Sequence, residues 1–299
     1  MRAKNLIKLR KRIKFLENFQ KMTRTISLIS VIKFQKLYSK ISQILKNVFY
    51  LLGIFEEVLK RHKKLSKEIL KIKIPRGGKN LIIVIASDKG LAGAFDYAIF
   101  KKTEEFLKEN KDFYLGTIGS KAEKYFQRKY QLLFSFGKFE NVLPESFAKE
   151  LLSTIQLLIE KEKIKEIQII RPNLKSGGFF VESVKIFPFN SEILNELISK
   201  IKIKTREFED LKKEEVKFKE FKYILEPSPE IILKTIMNQV FYLVFYALIL
   251  EAQASIEFTR TITMKKASEN AQEIREKEIL SYNKLRQQKI TEELIEIKR

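Results

Sequence analysis

Stepping alternately by three and four residues from Leu6 visits Leu6, Leu9, Ile13, Leu16, Gln20, Thr23, Ser27, Ser30, Phe34, Leu37, Ile41, Ile44, Val48, Leu51, Phe55 and Val58, twelve of them apolar. This is a heptad seam, and it predicts a long helix that wraps left-handedly around a partner helix. Matching stretches lie near the other end of the chain: Ile236, Val240, Leu243, Ala247, Leu250 and Ala254, then Leu280, Asn283, Gln287, Ile290, Leu294 and Ile297. Two such helices joined by a compact domain can close an antiparallel pair, with residues 37–58 set against part of the tail. The bland alternative is an ordinary helical bundle in which the stripes are core and nothing more.

Between the two ends the pattern changes. Residues 81–86, 113–118, 132–136 and 167–170 read as buried strands, and residues 94–110, 121–130 and 144–163 as the helices that follow the first three. Strand and helix in alternation predict βαβ units and a mostly parallel sheet. Residues 173–178 (NLKSGG) then read as a turn into a last strand over 179–187, suited to antiparallel pairing. Glycine and proline mark the same division, since all six prolines and nine of the ten glycines lie between Pro75 and Pro229. Residues 230–299 form a tail without a single helix breaker, enough for about 105 Å of helix. The fold class is therefore α/β plus long helices: a Rossmann-like α/β domain without a nucleotide site, flanked by an antiparallel coiled coil of the terminal helices. The expected domains are residues 1–74, 75–229 and 230–299.

Composition removes several function classes. With 299 residues and 44% apolar content the chain can build a core. It has no cysteine, which leaves no thiol chemistry and no cysteine metal site, and a single histidine, His62, which leaves little for histidine-dependent catalysis. The longest unbroken apolar run, residues 240–250 (VFYLVFYALIL), is about half of the roughly 20 residues a spanning helix needs. The net charge of +22 is uneven: residues 1–75 hold 20 Lys/Arg against 4 Glu. Such a head can be an electrostatic footprint for nucleic acid, acidic lipid or an acidic protein, or a solvated helix face.

The first strand runs into Ser87-Asp-Lys-Gly90-Leu-Ala-Gly93, where a phosphate-binding loop would sit in a nucleotide enzyme. A Walker loop needs G-x-x-x-x-G-K-[ST], and the dinucleotide fingerprint needs three glycines and an acidic residue after the second strand. Gly90 and Gly93 supply neither spacing, and the second strand runs into Gly119-Ser-Lys121 without a carboxylate. The pair of glycines suits a tight strand-to-helix turn, with Asp88 as a turn or cap residue.

Several segments taken together resemble one family, the gamma subunit of the F-type (F1Fo) ATP synthase. The opening, from Ile7 through Asn18-Phe-Gln-Lys-Met-Thr-Arg24, is similar to the start of that family's first shaft helix. Ser87 through Ala94 resembles its S-D-R-G-L-C-G-G turn, and Tyr223-x-x-Glu226-Pro-Ser-Pro229 its lead into the tail helix. The fullest likeness is at the end, in Met264-Lys-Lys-Ala-Ser-Glu-Asn-Ala271 and in Tyr282-Asn-Lys-Leu-Arg-Gln-Gln-Lys-Ile-Thr-Glu-Glu-Leu-Ile-Glu-Ile297.

The resemblance implies a rotor: paired terminal helices inside a ring of three alpha and three beta subunits, with the α/β domain at the foot against epsilon and the c-ring. It implies a non-catalytic subunit with no cofactor, no metal and no nucleic-acid partner, held on the cytoplasmic side of a bacterial membrane only through the complex. Carried over residue by residue, it marks Gln20, Lys21, Thr23, Arg286, Gln287 and Thr291 as contacts to the alpha/beta ring, and Ser87, Asp88, Gly90 and Gly93 as the turn of the foot. The basic head is then expected to face acidic loops of beta. The sequence departs from the pattern at Ile29-Ser-Val-Ile-Lys33, where the family has smaller side chains, near Thr25-Ile26, where a methionine is usual, and at Lys298-Arg299, where a small-residue tail is common.

Overall fold

The computed structural model describes residues 2–62, 78–109, 112–142, 144–175, 178–188 and 225–297. Expectations at Pro75, at the glycines of the NLKSGG turn, at Tyr223 and at Lys298-Arg299 lie outside or partly outside these residues. Two long helices bracket the chain, α1 (Arg2–Arg61) and α5 (Pro229–Ile297). Neither has an internal proline; α1 is rich in Leu and Lys and α5 in Leu, Lys, Glu and Gln, which lose little side-chain freedom in a helix. Pro229 occupies the first position of α5, where its missing N–H is no loss. Ser228 precedes it as N-cap: its Oγ accepts from the Ile231 N–H at 3.3 Å.

The chain divides into two compact units, one of Phe34–Gly90 with Ala94–Ile256, the other of Met1–Lys33, Leu91–Gly93 and Glu257–Arg299. The first contains a five-stranded sheet. Its strands are β1 (Asn80–Ile85), β2 (Phe113–Ile118), β3 (Leu132–Phe136), β4 (Glu166–Lys175) and β5 (Gly178–Phe187). The order is β3-β2-β1-β4-β5. All neighbours are parallel except β4 and β5, as the sequence pattern predicts. Helices α2 (Phe95–Glu109), α3 (Ser120–Phe126) and α4 (Pro144–Lys161) make the crossovers. Central β1 is buried on both faces, which is why LIIVI reads as an unbroken apolar run rather than an alternating one.

The predicted turn at 173–178 starts too early, because β4 continues through Asn173 and Lys175. Asn173 pairs with Phe180 across the strands, and its side-chain amide donates to Glu182, so a residue that usually marks a turn is satisfied inside the ladder.

In the same unit, residues 244–256 of α5 are buried on every side. A helix buried all round is a core helix, and its polar members Glu251, Gln253 and Ser255 are buried with it. The helix α5 contains an 18-residue window apolar enough to cross a membrane by composition, and 56% of that window is buried inside the protein.

In the second unit the two long helices run antiparallel. Contacts descend along α5 as they ascend α1: Arg12 with Glu278 at 3.2 Å, Gln20 with Gln272 at 3.1 Å, Ser27 with the Thr261 carbonyl at 3.1 Å. None of the sixteen head seam positions in the chain is exposed. The polar members Gln20, Thr23, Ser27 and Ser30 therefore face inward. Small inward side chains let the backbones approach, and hydroxyls that bond a carbonyl of their own helix need no other partner.

The second half of the tail seam is corrected by the structure. Leu280, Asn283, Gln287, Ile290 and Leu294 are exposed. The inward row is instead Met264, Ser268, Ala271, Arg275, Glu278, Tyr282, Leu285 and Lys289, which holds the same three-four alternation in a different phase. Apolarity misled because this row carries ion-pairing residues such as Glu278, while the more apolar row points outward.

Candidate partner-contact surfaces

Asp88 is the knot of the turn after β1. Its Oδ1 accepts from the Ser120 N–H at 2.9 Å, the Ser120 hydroxyl at 3.1 Å and the Lys138 N–H at 2.8 Å, and its Oδ2 from the Glu140 N–H at 2.8 Å. Its own N–H donates to Glu140 Oε1 at 2.6 Å. One carboxylate thus ties together the loops that follow β1, β2 and β3. Ser87 is held from the other side: its N–H and hydroxyl donate to the two oxygens of Asp96 at 2.9 and 2.7 Å. Gly90 has φ of 68° and Gly93 φ of 64°, left-handed conformations that favour glycine. Leu91 adopts the same region at φ 61° with its side chain exposed.

In the turn after β1 the Ser87 and Asp88 N–H groups donate to the protein's own carboxylates, Asp96 and Glu140. Asp88 was legible in the sequence only as a turn residue; Asp96, Ser120 and Glu140, which complete the knot, were not singled out.

The remaining site residues fall on the paired helices. Gln20 is half-buried and donates across to Gln272. Thr23 is buried, 1% exposed, with its hydroxyl donating to the carbonyls of Phe19 and Gln20, so it belongs to the seam rather than to the outer face. Lys21 is exposed and pairs with Glu17 at 2.7 Å. That hydrogen bond and the lysine charge hold the Glu17 carboxyl below the usual carboxylate range.

On α5, Arg286, Gln287 and Thr291 are all exposed, and the Thr291 hydroxyl donates to the Gln287 carbonyl one turn back. Among the described residues the Arg286 guanidinium has no hydrogen-bond or ion-pair partner. The structure therefore gathers Arg286, Gln287 and Thr291 on one exposed stretch, and places Gln20, Lys21 and Thr23 on another.

The neighbours of these residues on α5 were read in the sequence as seam positions rather than as an outer face. Leu280, Ile290 and Leu294 stand outward, Leu280 at 71% exposed, and with Asn283 and Gln287 they repeat at heptad spacing. The outer face of α1 carries Ile7, Phe15, Met22 and Ile29, also exposed and seven or eight residues apart. Lys8, Arg10 and Lys11 are exposed near the start of α1 and have no acidic partner among the described residues. The signal was present in the sequence as a second apolar row, but a single helix does not say which row a neighbour covers. No cluster of His, Cys, Asp and Glu suited to a metal ion occurs among the described residues.

Comparison with known proteins bears on the whole chain. The family model described as ATP synthase matches residues 5–298. The ATP synthase gamma chain of Caldanaerobacter subterraneus subsp. tengcongensis is 27% identical over 290 residues, covering 96% of this chain and 95% of that one. That of Clostridium novyi is 29% identical over 303 residues, covering 99% and 97%. Among solved structures, a chain of the Euglena gracilis mitochondrial ATP synthase superposes with a TM-score of 0.61 at 16% identity, over 99% of this chain and 93% of that one. A chain of the Tetrahymena thermophila mitochondrial ATP synthase central stalk and c-ring gives 0.54 at 19% identity, covering 83% and 99%. Those two likenesses speak for the fold. The motifs from residue 7 to residue 297, the sheet with its flanking helices and a family match across nearly the whole length agree: the chain belongs to the ATP synthase gamma-chain family.

Proposed function

We propose that the chain is the central-stalk rotor of an F1Fo ATP synthase, with its paired terminal helices turning inside a ring of three alpha and three beta subunits. Its α/β foot, residues 75–229, binds epsilon and the c-ring, and the helical segments 1–74 and 230–299 form the shaft. Ion flow through the membrane sector turns the rotor, and the asymmetric helix pair changes the beta sites in turn. The subunit is non-catalytic and takes no cofactor, since nucleotide chemistry belongs to its partners. It is held at the cytoplasmic face of a bacterial membrane through the complex alone.

The observation that carries this reading is the outward heptad row Leu280, Asn283, Gln287, Ile290 and Leu294 beside Arg286, which has no partner among the described residues. A solvated helix pair has no use for three exposed apolar side chains, Leu280, Ile290 and Leu294, along one outer row, whereas a shaft inside a protein sleeve does. Arg286 offers a rigid five-donor fork suited to carboxylates and carbonyls of that sleeve, and the Gln287 amide adds two donors. Thr291 continues the same contact, Gln20 and Lys21 contribute on α1, and Thr23 sets the spacing beneath them. Ser87, Asp88, Gly90 and Gly93 shape the foot rather than bind a ligand.

The test is Arg286→Ala combined with Gln287→Ala in a complex reconstituted with alpha and beta subunits. Alanine is the better helix former, so the isolated chain keeps its helix content. ATP hydrolysis or assembly should fall at least tenfold. Wild-type turnover and assembly would remove these two residues from the contact, and failure of the native chain to co-purify with alpha- and beta-type subunits would remove the rotor reading itself.

A further inference from the structure

A fully charged residue sits in the most buried part of β4. Arg171 is 0% exposed. Its Nη2 donates to Glu182 Oε1 on β5 at 2.7 Å, and its Nη1 lies 2.7 Å from Glu251 Oε2 on α5 and 3.4 Å from the Leu248 carbonyl. Asn173 Nδ2 donates to the same Glu182 oxygen at 2.9 Å. One cation therefore meets two carboxyls where water is almost excluded. With both ionised the site would hold a net negative charge, the arrangement a protein interior tolerates least.

The two carboxyls are not equivalent. Glu182 receives two donors and keeps some access to solvent, with 14% of its side chain exposed. Glu251 has 7% exposed, and although its Oε2 is within ion-pair range of the guanidinium, that oxygen has no hydrogen bond of acceptable angle. Burial pushes the Glu251 carboxyl up, the Arg171 charge opposes this, and Glu182 adds to it. Beside Glu251 is a cavity of about 40 Å³, also lined by Tyr38 of α1, Asn173 and Ser255. That is room for ordered water, and a neutral carboxyl can donate its O–H there. Tyr38 is the remaining titratable group facing the cavity, and burial keeps its phenol protonated.

We propose that Arg171, Glu182 and Glu251 form a one-proton lock: Glu182 is the counter-charge of the arginine, Glu251 is a neutral acid bonded into the small wet cavity, and together they fix the register of α5 on the β4–β5 side of the sheet. The lock is independent of the rotor reading, because its readouts are made on the chain alone.

Glu251 is tested by urea unfolding of the purified 299-residue chain between about pH 5 and pH 9, wild type against Glu251→Gln. The folded wild type holds a proton that the unfolded chain releases above the ordinary carboxyl value of 4.5, so its advantage is full below that pH and is lost as pH rises through the higher folded value. Relative to the glutamine variant, the wild type's unfolding equilibrium constant should rise by up to about tenfold per pH unit within that window. Glu182→Gln should abolish the slope, because Glu251 is then free to ionise as the counter-charge. Parallel pH profiles of wild type and Glu251→Gln would overturn the proposal. If that variant does not fold, carbon-13 carboxyl spectra of the wild type decide, and a Glu251 signal in the ionised range at neutral pH would overturn it equally. Arg171→Met should speed amide exchange at residues 248–256, and unchanged exchange there would refute the locking role.

Discussion

Replacing Asp88 with alanine removes the acceptor for three backbone N–H groups and one hydroxyl at a stroke. A hydrogen bond to a charged group is worth about 1.5–3 kcal/mol when buried. Here the Lys138 N–H is exposed and the other three donors are part-buried, so about 1 kcal/mol each is the appropriate scale. Asp88→Ala should then cost about 3–4 kcal/mol, a large share of the roughly 5–15 kcal/mol of a folded protein. Asp88→Asn separates charge from geometry. Its amide oxygen can keep the three donors on Oδ1, while its amide nitrogen replaces Oδ2 opposite the Glu140 N–H, for a cost of about 1–2 kcal/mol. Urea unfolding followed by circular dichroism and by tyrosine fluorescence measures both, with an unchanged denaturant slope showing that the native state alone was altered. An alanine variant within about 1 kcal/mol of wild type, or an asparagine variant as costly as alanine, would refute the knot.

The seam assignment predicts opposite outcomes for two leucine-sized side chains: Ile41→Ala, at a buried seam position, should cost about 2–5 kcal/mol, while Leu280→Ala, on the outer row, should stay within about 0.5 kcal/mol, both read by urea unfolding. Equal costs would return Leu280 to the seam. Reversal of Lys8, Arg10 and Lys11 to glutamate should leave the isolated chain folded but weaken its assembly with alpha and beta subunits several-fold, measured by pull-down at low and moderate salt. Arg12 is left out because it pairs with Glu278 within the helix pair, and unchanged assembly would make the basic head a solvated face.

The sequence by itself determined the elements. Residues 81–86 read as a buried strand, since six consecutive apolar residues rich in Ile and Val fit a sheet covered on both faces, and β1 is that strand. The proline-free ends likewise settled α1 and α5, because helix propensity and proline geometry act within a few residues. The head seam was legible for the same reason: its apolar row is the dominant one over most of its length.

Tertiary structure decided what local patterns leave undetermined. On the last part of α5 two rows compete, and the less apolar one faces α1 because Arg12 and Glu278 pair there and small residues such as Ala271 permit approach. Asp88 could be read as a turn residue, but its donors come from Ser120, Lys138 and Glu140, separated by 32 to 52 positions. Arg171 in IQIIRPN and Glu251 in ALILEAQ are lone charges in apolar surroundings that the sequence reading passed over. Only the packing of α5 against β4 could show that they demanded each other, because electrostatic pairing depends on distance through space, which the order of residues does not contain.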